Sequence, residues 1–362
     1  MLETFMYYMP FLLIAISCLV LKYSCDLFEQ SAGYLGRNMP AGIKGATINA
    51  VGSSMPEMMS AFAVLFFYDD PALFAIALGI TAGSGVFNTA VIPSLSILFA
   101  KDADGGKVDH IELNRKSLMR DGFWVVLSDI VLIAGIFTGY ITIGWCLALI
   151  AVWVLSTAHI IYDAIKMGNN SVEEYEDEQL DDLGLIGNIL SCNFNKVFFG
   201  GRVLNTSSAL VLLAIAIVII TGGSHLMVEG VIGSSSILGV PEFISGLILG
   251  AAASSIPDLI LSLKDARKGD YEDAVANPLA SNTFDTSISV GLPLLIWLLL
   301  QGADGIDIVG ENMEALRISV VGMSAAVCAT LIFKYKRVTK VTAWFMLSLY
   351  AVWGTWIYAV FG

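Results

Sequence analysis

The stretch GSSMPEMMSAF, residues 52–62, lies inside a long apolar run yet holds two serines, a proline and a glutamate. Some two hundred residues later, AASSIPDLILSL (252–263) repeats the arrangement with an aspartate. A carboxylate and a helix-breaker placed together twice in so apolar a chain need a physical reason. The 362 residues are 56% hydrophobic and 14% charged, with a mean hydropathy of +0.76. Soluble domains carry about 25% charged residues, and several windows exceed the ~18 apolar residues of a spanning helix. The reading is an all-α polytopic membrane protein. Much of the net charge of −13 falls in SVEEYEDEQLDD (171–182), and there is no basic tract of the kind that binds nucleic acid.

Apolar runs lie at 7–27, 41–67, 72–99, 122–140, 142–164, 207–229, 239–263, 271–300, 315–334 and 339–360. They predict ten transmembrane helices, the first retained because no basic n-region or small-residue cleavage site precedes it. Collecting the loops after odd-numbered segments places 18 of the 19 Lys and Arg residues on one side and only Arg317 on the other. The positive-inside rule makes the crowded side cytoplasmic, so both termini face outward. Residues 1–164 then form a first five-helix repeat, 165–206 an acidic cytoplasmic linker, and 207–362 a second five-helix repeat. Cys18, Cys25, Cys146, Cys192 and Cys328 have no paired spacing and read as buried small hydrophobes. Tyr7, Tyr8, Trp344 and Trp356 fit an interfacial belt. The acidic stretch 171–182 lacks calcium-loop spacing and reads as a solvated linker.

PAGIKGATINAVGSSMPE (40–57) aligns without a gap on PEFISGLILGAAASSIPD (241–258), with proline, glycine, the serine pair and the proline–acid step in register. Downstream, GSGVFN (83–88) matches ASNTFD (280–285) after a gap of four residues. Equivalent elements are five segments apart, an odd number, so the copies insert from opposite sides. That is an inverted-topology repeat, which places a transport site near the midplane between the halves.

On a helix Ser53 and Glu57 share a face and Ser54 borders it. Pro56 lacks an N–H and displaces the carbonyl four residues back, at Gly52. Such a freed carbonyl is tolerated at membrane depth only where it lines a wet site. Asp258 with Ser254, Ser255 and Pro257 repeats the construction and frees the carbonyl of Ala253. A carboxylate at the bilayer centre costs at least about 2.5 kcal/mol and must face a cavity or a partner. Ser84 with Asn88, and Ser281 with Asp285, add polar pairs at i, i+4. Hydroxyl, carbonyl and carboxylate oxygens without nearby histidine or cysteine suit hard cations such as calcium and sodium and argue against zinc or copper.

These motifs resemble the calcium/cation antiporter superfamily, whose two repeats carry G-[ST]-S-x-P-[ED] and a downstream G-S-N-x-F-[ND] element. GATINAVGSSMPE, CDLFEQSAGYLG and AAASSIPDLILSLKDARKGDYEDAVANPLASNTFDTSISVGLPLLIWLL look most like the potassium-dependent sodium/calcium exchangers. The resemblance implies cation ligands at Ser53, Ser54, Glu57, Ser84 and Asn88, and at Ser254, Ser255, Asp258, Ser281 and Asp285. It adds backbone carbonyls at Ala50 and Ala251. Gly85 departs from the Asn of the sodium/calcium branch, and Ala253 and Ala280 stand where the family often has Gly. Potassium-independent relatives tend to carry Asn at the position of Asp285.

The resemblance thus implies a secondary-active antiporter exchanging sodium for calcium with potassium co-transport, in the cell membrane. The first and sixth helices would slide over the other eight. The transported ions are cargo, and no resident cofactor or catalytic residue is implied. Glu57, Asp258 and Asp285 carry −3 if all ionise, which calcium plus potassium or three sodium ions would balance. Proton/calcium antiport and potassium-independent exchange are the alternatives within the class. A cation channel is the alternative outside it, and a membrane-embedded enzyme is disfavoured because the acids lack a nearby base.

Overall fold

A computed structural model describes residues 2–39, 48, 50–68, 73–102, 105–166, 183–307 and 313–361. The start of the first repeat copy (40–47 and 49) and the acidic stretch 171–182 lie outside the described residues. The long helices occupy the apolar segments, because a backbone without water must bond within its own segment. In chain order they are α1 (Leu2–Leu35), α2 (Ala50–Ser53), α3 (Met55–Phe67), α4 (Phe74–Phe99), α5 (Arg115–Phe137) and α6 (Ile143–Lys166). Two short helices, α7 (Gly184–Leu190) and α8 (Phe194–Phe199), form within the part of the linker that is described. Then follow α9 (Thr206–Leu238), α10 (Glu242–Ser245), a π-helical turn (Gly246–Gly250), α11 (Ala251–Ser254) and α12 (Ile256–Lys268). The remainder is α13 (Tyr271–Asp285), α14 (Ile288–Gln301), α15 (Met313–Lys334) and α16 (Lys340–Phe361).

By length and apolarity six helical spans among the described residues could cross a membrane, and a seventh is the bent pair Glu242–Ser254 and Ile256–Lys268. Met55–Phe67 and Val320–Lys334 are shorter apolar helices. The eighth apolar segment is not one unbroken α-helix, since α13 ends at Asp285 and α14 starts at Ile288.

The molecule is layered by burial. The apolar part of α4 is 94% buried, against 22% in α6 and α16, so α4 is the central post and α6 and α16 belong to the outer wall. The wall shows apolar side chains outward (Leu19, Phe123, Leu155, Val218, Phe333, Val352) while many polar ones lie inside. That inversion suits a lipid surround. Cys25, Cys146, Cys192 and Cys328 are buried and Cys18 is half-buried; all five are free thiols.

The described residues are mostly helical, and what strand there is lies in the loops. The connecting loops carry short antiparallel strands: β1 (His110–Ile111) pairs with β4 (Val338–Thr339), and β2 (Tyr140–Thr142) with β3 (Gly305–Asp307). The loops are short enough that their free backbone groups find partners across the molecule. The loop after α4 is also tied to the α12–α13 corner, where Lys101 N–H donates to Ala266 O at 3.0 Å and Tyr271 OH to Lys101 O at 2.7 Å.

The post and the second repeat meet with almost no gap. A Cβ built on Gly83 would collide with the carbonyl of Leu247 and lie 2.6 Å from Ala251 Cβ. One on Gly246 would come within 2.9 Å of Ile76 O. This close approach holds α4 against the π-helical turn, next to the residues of interest. Gly83→Val should therefore lower the thermal midpoint of the detergent-solubilised protein by an amount worth at least about 1–3 kcal/mol. Gly222→Ala, where nothing lies within 4 Å, should leave it unchanged or slightly raised; equal midpoints for both variants would contradict the packing argument.

Candidate cation site

The two quoted motifs form matching breaks. α2 stops at Ser53 and α3 restarts at Met55, with Ser54 between them at φ −92°, ψ 2°. In the second copy Ser255 has φ −83°, ψ 4°, and the helix axis turns by 42°. Each proline sits in the first turn after its break, where a missing N–H costs nothing. Ser54 N–H still reaches Ala50 O at 3.2 Å, and Ser255 N–H reaches Ala251 O at 3.1 Å. The Ala50 and Ala251 carbonyls thus each accept a helix bond, and Ala251 O also receives Ser254 Oγ–H at 3.2 Å. That leaves at most one lone pair on Ala50 O for a ligand and none on Ala251 O while Ser254 donates to it.

The breaks bring the acids of both copies onto the central post. Glu57, Asp258 and Asp285 are at most 1% exposed, as are Ser53, Ser54, Ser84, Asn88, Ser254, Ser255 and Ser281. Ser84 Oγ lies 3.0 Å from Glu57 Oε1, 2.8 Å from Ser255 Oγ and 3.1 Å from Asp285 Oδ2. Asn88 Nδ2 donates to Asp285 Oδ2 at 3.1 Å and lies 3.3 Å from Asp258 Oδ2. Ser281 Oγ–H donates to Asp258 Oδ1 at 2.9 Å and lies 3.2 Å from Ser53 Oγ. Ser254 interacts with Glu57, Ser53 with Asp258, and Ser54 with Asp285. The structure thus gathers all ten side chains from four broken or polar helices, and most contacts cross from one copy to the other.

The cluster is short of protons. Ser84 has one hydroxyl hydrogen and three oxygen neighbours, so it can satisfy only one of them. Ser54 Oγ, Glu57 Oε2, Asn88 Oδ1 and Asp285 Oδ1 are buried and accept no hydrogen bond. Buried oxygens left like this cost about 1–3 kcal/mol each, more when charged. A cation bound among them removes that cost. Among the described residues no three acids, histidines or cysteines converge on one point as a ready metal cluster. Hydroxyls and the Asn88 amide stand between the carboxylates instead. This donor set suits calcium, which takes about 6–8 oxygens of mixed type.

Three polar groups escaped the sequence reading. Ser224 of α9 donates to the carbonyl of Pro56 at 3.2 Å, tying that helix to the first break. Asn282, between Ser281 and Asp285, is fully buried with neither amide atom bonded, and its Oδ1 fills the space over Gly85. Asp129 of α5 is a further buried acid, beside Ser324 of α15, with no hydrogen-bond partner for either oxygen. Asn282 was signalled by the downstream motif. Past the four-residue gap the repeat offset is 197, which sets Ala326 opposite Asp129, so a search for pairs passes over it.

Comparison with known proteins bears on the fold and the family. Inner membrane protein YrbG of Escherichia coli (strain K12) is 24% identical over 289 residues, covering 78% of this chain and 79% of that protein. Sodium/potassium/calcium exchanger 1 of Bos taurus is 31% identical over 129 residues, which is 36% of this chain but only 11% of that one. Among solved structures, the H+/Ca2+ exchanger CAX has a TM-score of 0.68 at 15% identity, covering 97% of this chain and 85% of that one. The sodium-calcium exchanger NCX_Mj has a TM-score of 0.57 at 18% identity, covering 96% and 98%. Both likenesses are of fold. Residues 9–162 and 208–359 match the family described as Sodium/calcium exchanger protein, and the chain, an integral multi-pass membrane protein, belongs to that family.

Proposed function

We propose that this protein is a secondary-active antiporter that exchanges sodium for calcium, with potassium carried alongside calcium, at an all-oxygen site near the bilayer midplane. The observation that carries the reading is the shared hydroxyl of Ser84, within 3.1 Å of Glu57 of one copy and of Asp285 and Ser255 of the other. Cations held at that seam touch both halves at once, so their binding is coupled to how the halves are arranged. With all three carboxylates ionised the cavity holds −3, and an unbalanced buried charge of that size is expensive. Calcium with potassium, or three sodium ions, would neutralise it, so the loaded carrier crosses between states and the unloaded one does not.

The reading takes the ten apolar segments as ten spans in two inverted five-helix halves, 1–164 and 207–362, joined by the cytoplasmic linker 165–206, with both termini outside. The strand pairs support it. β1–β4 joins the loops after the third and ninth segments, and β2–β3 joins those after the fourth and eighth. Each pair links loops of the same parity, as it must if odd and even loops lie on opposite faces. Relatives in the comparisons are named for sodium, potassium and calcium, which favours the same cargo here and placement in the cell membrane. Proton/calcium exchange is the competing reading, because the oxygens that accept no hydrogen bond would take protons in place of monovalent cations. Calcium uptake into proteoliposomes at clamped pH, driven by a sodium gradient alone, is expected here and not on the proton reading.

Glu57→Gln removes a carboxylate that both cargo ions need, and sodium-driven calcium uptake should fall below a tenth of wild type; uptake near the wild-type rate would refute the site. Asp285→Asn keeps the shape of the site but lowers its charge by one, which matches the loss of one monovalent partner. Uptake by this variant should persist and become insensitive to potassium, and an unaltered potassium response would exclude that role.

A further inference from the structure

The acids on the break helices have counterparts on the two helices packed over them. Ser24, Glu29 and Gly33 of α1 recur as Ser224, Glu229 and Gly233 of α9, at a constant offset of 200. The two glutamates occupy equivalent positions on the first helix of each half, yet their surroundings differ. Glu29 is half-buried and drawn in: its Cγ lies 2.8 Å from where a Cβ of Gly52 would be, next to the first break. It is within electrostatic range of Asp26, Asp258, Lys264 and Asp265. Glu229 is exposed and drawn out. It accepts a 2.6 Å hydrogen bond from Tyr68 OH, just past the far end of α3.

α1 and α9 behave as one body. They run antiparallel with Gly223 against Val20 and Leu21, Gly230 against Ile14 and the carbonyl of Pro10, and Gly233 against the Pro10 ring. A carboxylate near each end of one rigid body cannot be drawn in at both ends. Lys264 and Asp265 correspond to Ala63 and Val64 in the first repeat, four or five residues short of Tyr68. Bringing Glu229 to the depth that Glu29 now occupies therefore needs a slide of about one helical turn, ~6 Å. The same slide carries Glu29 outward. Ala253 has the Cβ that its counterpart Gly52 lacks, so Glu229 stops short of the full depth.

Resting on the antiport reading and its inverted halves, we infer that Glu29 and Glu229 are alternating gate carboxylates, each guiding calcium between the site and one face of the membrane. Glu29 serves the cytoplasmic face and Glu229 the outer one. Neither is needed to hold the ion at the midplane, so each sets an apparent affinity on one side only.

The test uses the full-length protein in sealed membrane vesicles of one orientation, with calcium varied on one face at a time under a fixed sodium gradient. Glu229→Gln should raise half-saturating calcium at the outer face about fivefold and leave the inner face within twofold. Glu29→Gln should do the reverse, with the maximal rate changing less than the half-saturation in both. Equal shifts at both faces, or none, would overturn the gates while leaving antiport intact; wild-type vesicles that fail to exchange would overturn both. Because Glu29→Gln could fail to fold, a second measurement pairs Tyr68→Cys with Glu229→Cys. Oxidation should stop exchange and a thiol reductant should restore it, whereas full exchange by the cross-linked protein would show that the pair does not separate during transport.

Discussion

Three carboxylates held away from water at the centre of an apolar molecule are the constraint from which the rest follows. Isolated charges of that kind would neutralise themselves or unfold the chain. Here they sit after two proline breaks and at the end of α13, and their hydroxyl and amide neighbours leave one oxygen of Glu57 and one of Asp285 without a hydrogen bond. The serine pairs, the proline breaks and the Gly83 contact are all means of bringing incompletely bonded oxygens to one place. A fully hydrogen-bonded cluster would be more stable and would have no use for a cation.

Much of this was legible in the sequence because the relevant signals are local and occur twice. Ser-Ser-x-Pro-acid fixes both the kink and the clustered polar side chains within five residues, and the repeat says that a second copy will face the first. The ten side chains read from these motifs meet in one cluster. Of the two carbonyls inferred by resemblance, Ala50 accepts one hydrogen bond from its own helix and Ala251 accepts two.

What the sequence did not show depends on packing between distant elements. Asp129 is a single acid without a counterpart, and nothing near it in the chain marks it as buried. Ser224 looks like one more small residue in an oily helix until it meets the Pro56 carbonyl. The strand pairs β1–β4 and β2–β3 join residues more than 160 positions apart, and two or three residues of strand carry no readable alternation. The break between α13 and α14 follows Asp285 directly, where hydropathy is continuous and only the hydrogen-bonding of Thr286 and Ser287 interrupts the helix.

Those strand pairs have a mechanical meaning. They stitch α5, α6, α14, α15 and α16 to one another beyond the helix ends, on loops of both parities, and neither α1 nor α9 borders a stitch. The wall is thereby stiffened against shear while the glycine-locked pair keeps only greasy side-chain contacts and a few polar ones, such as Ser224 with Pro56. Among the long helices described, α1 and α9 are thus the pair that no stitch restrains. In the proposed antiporter, work done by ions at the seam would be directed along that pair's axis.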